Sequence, residues 1–271
     1  MNPGGENMSH ALIQLIEELN AGKLRVVDLT QPLSPESPLL VLPEPWANTL
    51  PFRMWELSRY DERGPAWYWN AFETGEHTGT HFDAPVHWVS GKDLPDNTVD
   101  RISANRFVGP ACVIDVAAEV ESDADYLLTP DGVEVWEKEH GRIPAGAWVL
   151  LCTGWSKRPV KRGTNSSMKD APHTPGWSTA CSKLLAHERN ILGVGVETLG
   201  TDAGQAAGFD PPFSNHYFMH GSGKFGLASL CNLDQLPSIG AVVIAAPLKI
   251  VNGSGSPLRV IAIVPTDLAH E

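Results

Sequence analysis

The apolar residues of the chain fall into short runs, and their spacing predicts alternating helices and strands. Leucine and isoleucine recur at helical spacing over 9–21, and Gly22 follows as a stop signal. The helix predicted over 129–139 begins with Thr129 as its cap and Pro130 in its first turn. A third helix is predicted over 179–188. Apolar, β-branched runs predict strands at 24–29, 67–72, 111–116, 148–153, 191–196, 241–246 and 258–264.

Strands that alternate with helices predict an α/β fold. Residues 31–53 and 156–177 are rich in residues that break regular structure, so loops are expected there, with a short helical turn at 98–102. No internal repeat or change of composition divides the chain. We therefore expect one domain over 23–271, preceded over 1–22 by a tail, disordered up to residue 8, and the first helix.

Composition and charge exclude several classes of partner. The 271 residues carry a formal net charge of −12, which disfavours nucleic acid and anionic membrane surfaces. No apolar run reaches the roughly 18 residues of a membrane span, and the first residues lack the pattern of a secretory signal. The four cysteines form no Cys-x-x-Cys pair, so free thiols in a cytoplasmic protein are expected.

Candidate chemistry is concentrated in residues 77–87, which read HTGTHFDAPVH. Imidazole and carboxylate are ligands that Zn²⁺ and Mn²⁺ accept. Gly79 and Pro85 argue against a regular helix, so we expect a turn around Gly79 that leads into a short extended segment. His81 and Asp83 would then lie on the same side of that segment, because successive side chains in extended backbone point to opposite sides.

Such an arrangement predicts a metal site. We expect His77, His81 and Asp83 to converge on one divalent ion, with His87 a few ångströms beyond it. His87 is the candidate general base, because a base must lie within hydrogen-bond reach of the attacking water. A fourth metal ligand is the alternative role for His87.

The spacing His-x-Gly-Thr-His-x-Asp-x-Pro-x-His resembles the signature of the cyclase family of metal-dependent hydrolases. Segments 26–34, 193–198, 232–237 and 245–249 resemble further strands of that family, so the resemblance covers roughly residues 24–265. It implies a single swivelling β/α/β domain, hydrolysis by metal-activated water, and a homodimer or higher homo-oligomer.

The resemblance also bears on the number of ions. Family members with two ions carry a glutamate ligand where this chain has Ala228, and a methyl group cannot coordinate a metal. We therefore expect one divalent ion, with Mn²⁺ favoured and Zn²⁺ as the alternative. His216 matches the position of another histidine near the metal in the family, and it is expected to contact substrate or to share the proton transfer.

Two further residues stand out beside the family pattern. Ser229, next to Ala228, is expected to relay protons through water or, equally, to be a buried hydroxyl or helix cap. Glu197 replaces the family's usual aspartate, and it is expected either to orient a ligand histidine or to make a structural hydrogen bond.

Aromatic residues are enriched just before the metal motif. Trp67, Trp69 and Phe72 lie on a predicted strand that leads into His77, so we expect them to bind the substrate, although alternation prevents all three from facing one pocket. Such walls suit a flat bicyclic molecule.

The resemblance to members with a single Mn²⁺ ion implies hydrolysis of the lactam C–N bond of isatin to isatinate. The nearest alternative is arylformamidase activity on N-formylkynurenine, which is also an aromatic amide beside a ketone. A cyclase or dehydratase would polarise a carbonyl without adding water, and a binding protein would hold a carboxylate on its ion. The expected partner is a small aromatic amide, and neither nucleic acid nor a membrane.

Overall fold

The computed structural model describes residues 4–42, 44–158, 166–167 and 173–266. Its α-helices are α1 (Gly4–Asn20), α2 (Ala117–Ser122), α3 (Pro130–His140), α4 (Thr179–Glu188) and α5 (Ser214–Gly221). Its strands are β1 (Leu24–Asp28), β2 (Leu40–Val41), β3 (Arg53–Asp61), β4 (Gly64–Glu73), β5 (His81–Asp83), β6 (Val108–Asp115), β7 (Leu127–Leu128), β8 (Trp148–Cys152), β9 (Ser166–Ser167), β10 (Gly176–Trp177), β11 (Gly193–Val196), β12 (Phe225–Ala228), β13 (Ala241–Ile244), β14 (Gly255–Pro257) and β15 (Ile261–Pro265).

Nine strands form one mixed sheet in the order β1-β15-β13-β6-β8-β11-β12-β5-β14. The four central strands β6, β8, β11 and β12 run parallel, and the flanking strands pair antiparallel. Helices lie in the connections between the parallel strands, because parallel neighbours need a crossover. The predicted α/β class and single domain are confirmed.

Each face of the sheet is covered by its own apolar core. On one face, Val149 and Leu151 of β8 pack in one cluster with side chains of α3, α4 and α5. On the other face, the sheet curls around a core that contains Trp148, Phe82 of β5 and Val27 of β1. Apolar residues therefore occur in unbroken runs along the central strands, as expected for strands buried on both sides.

Most predicted elements are present, with one clear error at the N-terminus. The helix predicted over 9–21 begins at Gly4, so disorder over 1–8 is wrong for 4–8, whereas 1–3 lie outside the described residues. A helix that has already formed extends readily, because each added residue adds one hydrogen bond. The helix over 179–188 has the predicted bounds, and Thr129 Oγ1 accepts a hydrogen bond from the Gly132 amide as the cap of α3.

The strands were predicted less completely. Each of the seven predicted strands overlaps an observed one, whereas β2, β3, β7, β12 and β14 are additional. Much of the loop predicted over 156–177 lies outside the described residues, and its described part contains the two-residue strands β9 and β10. The turn expected at 98–102 is present, since the Arg101 and Ile102 amides donate to Thr98 O.

Strands β3 and β4 form a separate hairpin whose aromatic side chains are mostly exposed. Trp67, Trp69 and Phe72 are 47%, 55% and 60% exposed. An isolated two-stranded hairpin is only marginally stable in water.

Within the described residues, no helix combines the length and apolar character that crossing a bilayer requires.

A buried lysine connects the elements that carry the functional site. Lys224, just before β12, directs its ammonium to the carbonyls of Leu185, Ala186 and Arg189 at the end of α4, at 3.0, 2.5 and 2.6 Å. A cation at a helix C-terminus is favourable because the terminal carbonyls lack partners within the helix. Lys224 O in turn lies 3.1 Å from Nδ1 of His220 in α5.

We expect Lys224→Met to lower the free energy of unfolding by about 3 kcal/mol, because the substitution leaves buried carbonyls without a donor. Urea unfolding of the metal-stripped protein measures this loss without a contribution from bound ion. Lys183→Met, at an exposed position of α4, is the matched control and should change stability by less than ~0.5 kcal/mol. Equal stability of the two variants would contradict the structural role of Lys224.

Candidate active site

The short strand β5 directs the metal motif to one face of the sheet. Phe82 points into the core on the inner face, so its neighbours His81 and Asp83 point to the opposite face. Before the strand, Gly79 adopts a left-handed φ of +66°, a conformation that favours glycine. The predicted turn around Gly79 and the extended segment after it are therefore present, and the turn returns His77 to the same site.

Two glycines make room for the buried carboxylate and its histidine. Gly226 of β12 and Gly255 of β14 are the register partners of Asp83 on either side of β5. A Cβ at Gly226 would lie 2.8 Å from Asp83 Oδ2, and one at Gly255 would lie 2.5 Å from His77 Cε1. Any larger residue at these positions would occupy the volume of the site.

The three predicted metal ligands meet at Asp83. Its Oδ1 lies 2.7 Å from His77 Nδ1 and 3.4 Å from His81 Nε2. His81 Nδ1 lies 2.8 Å from Gly79 O and therefore donates its hydrogen to that carbonyl, which leaves Nε2 with a lone pair towards the site. Although burial opposes ionisation, the charges and hydrogen bonds of the surrounding histidines hold the pKa of Asp83 well below its usual range.

His87 lies in the same cluster and fits either of its predicted roles. Its ring stacks on His77 with centroids 3.8 Å apart, and one nitrogen of each ring and an Asp83 oxygen all lie within 4.8 Å of one another. Within the described residues, no group donates to or accepts from the His87 ring. Burial lowers the pKa of His87 well below its ordinary value, so the ring is neutral and offers a lone pair to an ion or to a proton.

His216 is also placed at the site, as the sequence predicted, and it is held by an aspartate. Asp202 Oδ2 lies 2.5 Å from His216 Nδ1, while its Oδ1 accepts the Asn215 amide at the start of α5. His216 Nε2 then faces Asp83 Oδ2 at 3.8 Å. Burial alone would lower the pKa of His216, but the charge and hydrogen bond of Asp202 raise it above its ordinary value.

His220, for which no role was predicted from the sequence, lies one helical turn beyond His216 in α5. Its Nε2 is buried without a hydrogen-bond partner among the described residues, and burial lowers its pKa to about 4. Asp83, His216 and His220 offer atoms that all lie within 4.8 Å of one another. The i, i+4 spacing of the two histidines on a helix was the sequence signal for this arrangement.

This donor set fits a divalent cation. Asp83 Oδ2 is buried with no hydrogen-bond partner among the described residues, although a buried carboxylate oxygen without a hydrogen bond is costly. Around it, imidazole nitrogens supply further ligands of the type that Zn²⁺ and Mn²⁺ take. Ala228 is the register partner of His81 and shares its face of the sheet, so a side chain here stands beside the site but offers no ligand atom.

A cavity of about 650 Å³ opens onto the cluster. Its aromatic walls are Trp46, Trp88 and Phe213, and the Trp88 ring lies 4.8 Å from the ring of His216. The expected substrate contacts Trp67, Trp69 and Phe72 do not line this cavity, because they lie on the separate β3–β4 hairpin. Trp88 directly follows His87, and Phe213 lies three residues before His216. Their closeness in sequence to candidate site histidines could have indicated that both line the cavity.

Ser229 and Glu197 have partners away from the cavity. The Ser229 backbone accepts a hydrogen bond from Thr80 Oγ1 at 2.6 Å and donates one to Thr198 O, and its side chain is buried outside the cavity wall. Glu197 accepts hydrogen bonds from the Thr153 amide and hydroxyl and from Ser156 Oγ. The expectation that Glu197 orients a ligand histidine is therefore wrong, and the structural alternative holds.

Comparison with known proteins is consistent with this geometry. Residues 27–203 match the cyclase family. The chain is 46% identical to an isatin hydrolase from Roseibium aggregatum over 94% of its own length and 97% of the relative's. A kynurenine formamidase from Salinibacter ruber is 27% identical over 68% of this chain and 74% of its own.

Solved structures give the same result. Isatin hydrolase A from Labrenzia aggregata, bound to benzyl benzoate, is 54% identical with a TM-score of 0.90, over 94% of this chain and 99% of its own. An isatin hydrolase bound to the product analogue thioisatinate is 45% identical with a TM-score of 0.90, over 95% and 99% of the two chains. The chain therefore belongs to the cyclase family and is a hydrolase of that family.

Proposed function

We propose that the protein hydrolyses the lactam C–N bond of isatin, giving isatinate, with the help of one divalent ion. The observation that carries this proposal is the buried Asp83 carboxylate, surrounded by imidazoles at the end of an aromatic cavity. The similarity to isatin hydrolases over nearly the whole chain supports the choice of substrate.

The proposed ligands of the ion are His77, His81 and Asp83. When bound, a divalent ion supplies Lewis acidity, which polarises a carbonyl and lowers the pKa of water. Ala228 offers no ligand for a second ion, which supports the proposal of one ion per chain. Mn²⁺ is the proposed metal and Zn²⁺ the alternative, since both accept this donor set.

His87 is the proposed general base. It lies beside Asp83 and His77 and has no hydrogen-bond partner among the described residues, so its ring nitrogens are free to accept a proton from water. His216, oriented by Asp202, presents Nε2 to the same space and is proposed to bind the substrate and to share the proton transfer. Ser229 is proposed to relay protons away from the site through water, and a purely structural buried hydroxyl is the alternative role.

The cavity suits a flat bicyclic molecule. Trp88 and Phe213 pack with their ring centroids 5.6 Å apart, and Trp46 lines the same cavity. Aromatic walls bind a planar ring by offset or edge contacts and by burial of apolar area. The histidines at one end of the cavity supply polar groups that would orient the reacting carbonyl towards them.

The hairpin aromatics fit the proposal if the protein is a homodimer. Trp67, Trp69 and Phe72 lie outside the cavity of their own chain yet form an exposed apolar surface. We propose that the β3–β4 hairpin of one subunit reaches the cavity of its partner, where these residues complete the substrate site. Exposed apolar patches of this kind mark interaction sites.

The cytoplasm is the proposed location, supported by free thiols at all four cysteines.

We expect chelator-stripped protein to leave the absorbance of isatin unchanged. Added Mn²⁺ or Zn²⁺ should restore turnover, seen as a fall in that absorbance, with one ion bound per chain. His81→Ala should abolish both ion binding and turnover, since it removes a ligand. Elemental analysis beside the absorbance assay provides both numbers. Turnover of N-formylkynurenine in place of isatin would indicate a formamidase, and two ions per chain would contradict the reasoning from Ala228.

His87→Ala separates the two roles of that residue. As a general base, its loss should lower kcat by a factor of about 10²–10⁴ while the ion stays bound. The measurement is kcat at saturating metal together with the metal content of the purified variant. Loss of the ion from His87→Ala would instead make His87 a ligand.

A mixed dimer tests the contribution of the hairpin. Subunits with His81→Ala lack a working site, and subunits with both Trp67→Ala and Trp69→Ala lack the hairpin aromatics, so either homodimer should be nearly inactive. A heterodimer purified through two different tags should recover about half of the wild-type turnover per dimer, because one intact site receives one intact hairpin. An inactive heterodimer would show that the hairpin serves its own subunit, and full activity of the double tryptophan variant would exclude the contact.

A further inference from the structure

Two polar residues outside the metal motif lie directly behind His77. Ser254, just before β14, places its Oγ 2.9 Å from His77 Nε2. Glu76 Oε2 lies 2.5 Å from the same Oγ and also accepts the Ser254 amide at 3.2 Å. The three side chains form a continuous line from a carboxylate, through a hydroxyl, to the far nitrogen of a proposed metal ligand.

The chemistry of the groups fixes the direction of these hydrogen bonds. The Ser254 hydroxyl has one hydrogen, and Glu76 Oε2 already accepts from the Ser254 amide, so Ser254 Oγ donates to Glu76. Ser254 Oγ is then the acceptor for His77 Nε2–H. Nδ1 faces Asp83, at 2.7 Å from its Oδ1, and when an ion is bound the tautomer with hydrogen on Nε2 would offer its Nδ1 lone pair to that ion.

The backbone holds these residues in place. Ser254 O accepts the amide of Ala84, the residue that follows Asp83, at 2.9 Å. A Cβ at Gly253 would lie 3.0 Å from Glu76 Oε1, and one at Gly255 would lie 2.5 Å from His77 Cε1. The two glycines bring the backbone close against Glu76 and His77, so the hydroxyl between them has little freedom to move.

We propose that Glu76 and Ser254 are positioning residues for metal binding, with Glu76 orienting the Ser254 hydroxyl and Ser254 fixing the ring and tautomer of His77. This inference rests on the proposed role of His77 as a ligand. Hydrogen-bond partners behind a ligand histidine set its orientation and raise its basicity, and their loss typically costs 10–100-fold in metal affinity.

The test is Zn²⁺ affinity, measured by competition with a chromophoric chelator on metal-stripped protein. Ser254→Ala should weaken Zn²⁺ binding by about 10–100-fold, and Glu76→Gln should weaken it by a smaller factor. The double variant should bind Zn²⁺ as Ser254→Ala does, because Glu76 acts only through the Ser254 hydroxyl. The proposal that Glu76 acts on His77 through Ser254, here called the relay, fails if the affinity losses of the two single variants multiply in the double variant. It also fails if Ser254→Ala binds Zn²⁺ with wild-type affinity.

Matched variants separate this effect from general damage to the strand. Ser256→Ala lies in β14, where its Oγ contacts the Leu248 amide and Pro257 O rather than the site, and it should keep wild-type Zn²⁺ affinity. Ser254→Thr retains the hydroxyl and should recover most of the affinity lost in Ser254→Ala. If Ser256→Ala weakens binding as strongly, or Ser254→Thr recovers nothing, the effect belongs to the strand and the proposal fails.

His77→Ala distinguishes the failure of this inference from the failure of the proposed metal site. It should lose Zn²⁺ binding beyond the range of the competition assay if His77 is a ligand. Wild-type affinity of His77→Ala would overturn the ligand assignment and the relay together. Loss of binding in His77→Ala with wild-type affinity in Ser254→Ala would overturn the relay alone.

Discussion

The negative charge of a carboxylate buried inside a protein must be balanced by neighbouring polar or charged groups. The burial of Asp83 therefore determines which residues surround it. The side chain lies between β12 and β14, where glycines on both neighbouring strands leave it space. One oxygen is contacted by His77 and His81, and the other faces His216 without a hydrogen-bond partner among the described residues. Imidazoles converge on this position because an isolated buried charge would be prohibitively costly.

The imidazoles of the site differ in their hydrogen-bond partners, and this difference distinguishes their proposed roles. His81 donates to a backbone carbonyl in its own turn, whereas His77 and His216 are each backed by acidic residues, directly by Asp202 for His216 and through Ser254 for His77. His87 has no hydrogen-bond partner among the described residues. Oriented rings suit ligands and substrate contacts, whereas an unengaged neutral ring suits proton transfer, because accepting a proton does not require breaking an existing hydrogen bond.

Sequence alone predicted those parts of the site that depend on local spacing. The motif from His77 to His87 lies within one turn and one short strand, so its convergence followed from backbone geometry. The hydrogen-bond partner of His77 at position 254 is far away in sequence and arrives only through strand pairing. Strands β12 and β14 escaped prediction because they are short and contain glycine, and β14 also contains proline, which weakens the strand signal. The hairpin aromatics were predicted as a strand, but alternation could not show that they lie outside the cavity of their own chain.

The position of β5 in the sheet has a consequence for how the protein matures. Its two neighbours, β12 and β14, lie roughly 140 to 175 residues later in the chain. During synthesis the histidines of the motif leave the ribosome long before the strands that flank them. Asp83 therefore stays exposed and flexible until the C-terminal third of the chain has been made. The enclosed space around Asp83 therefore forms only once β14, close to the end of the chain, has been synthesised.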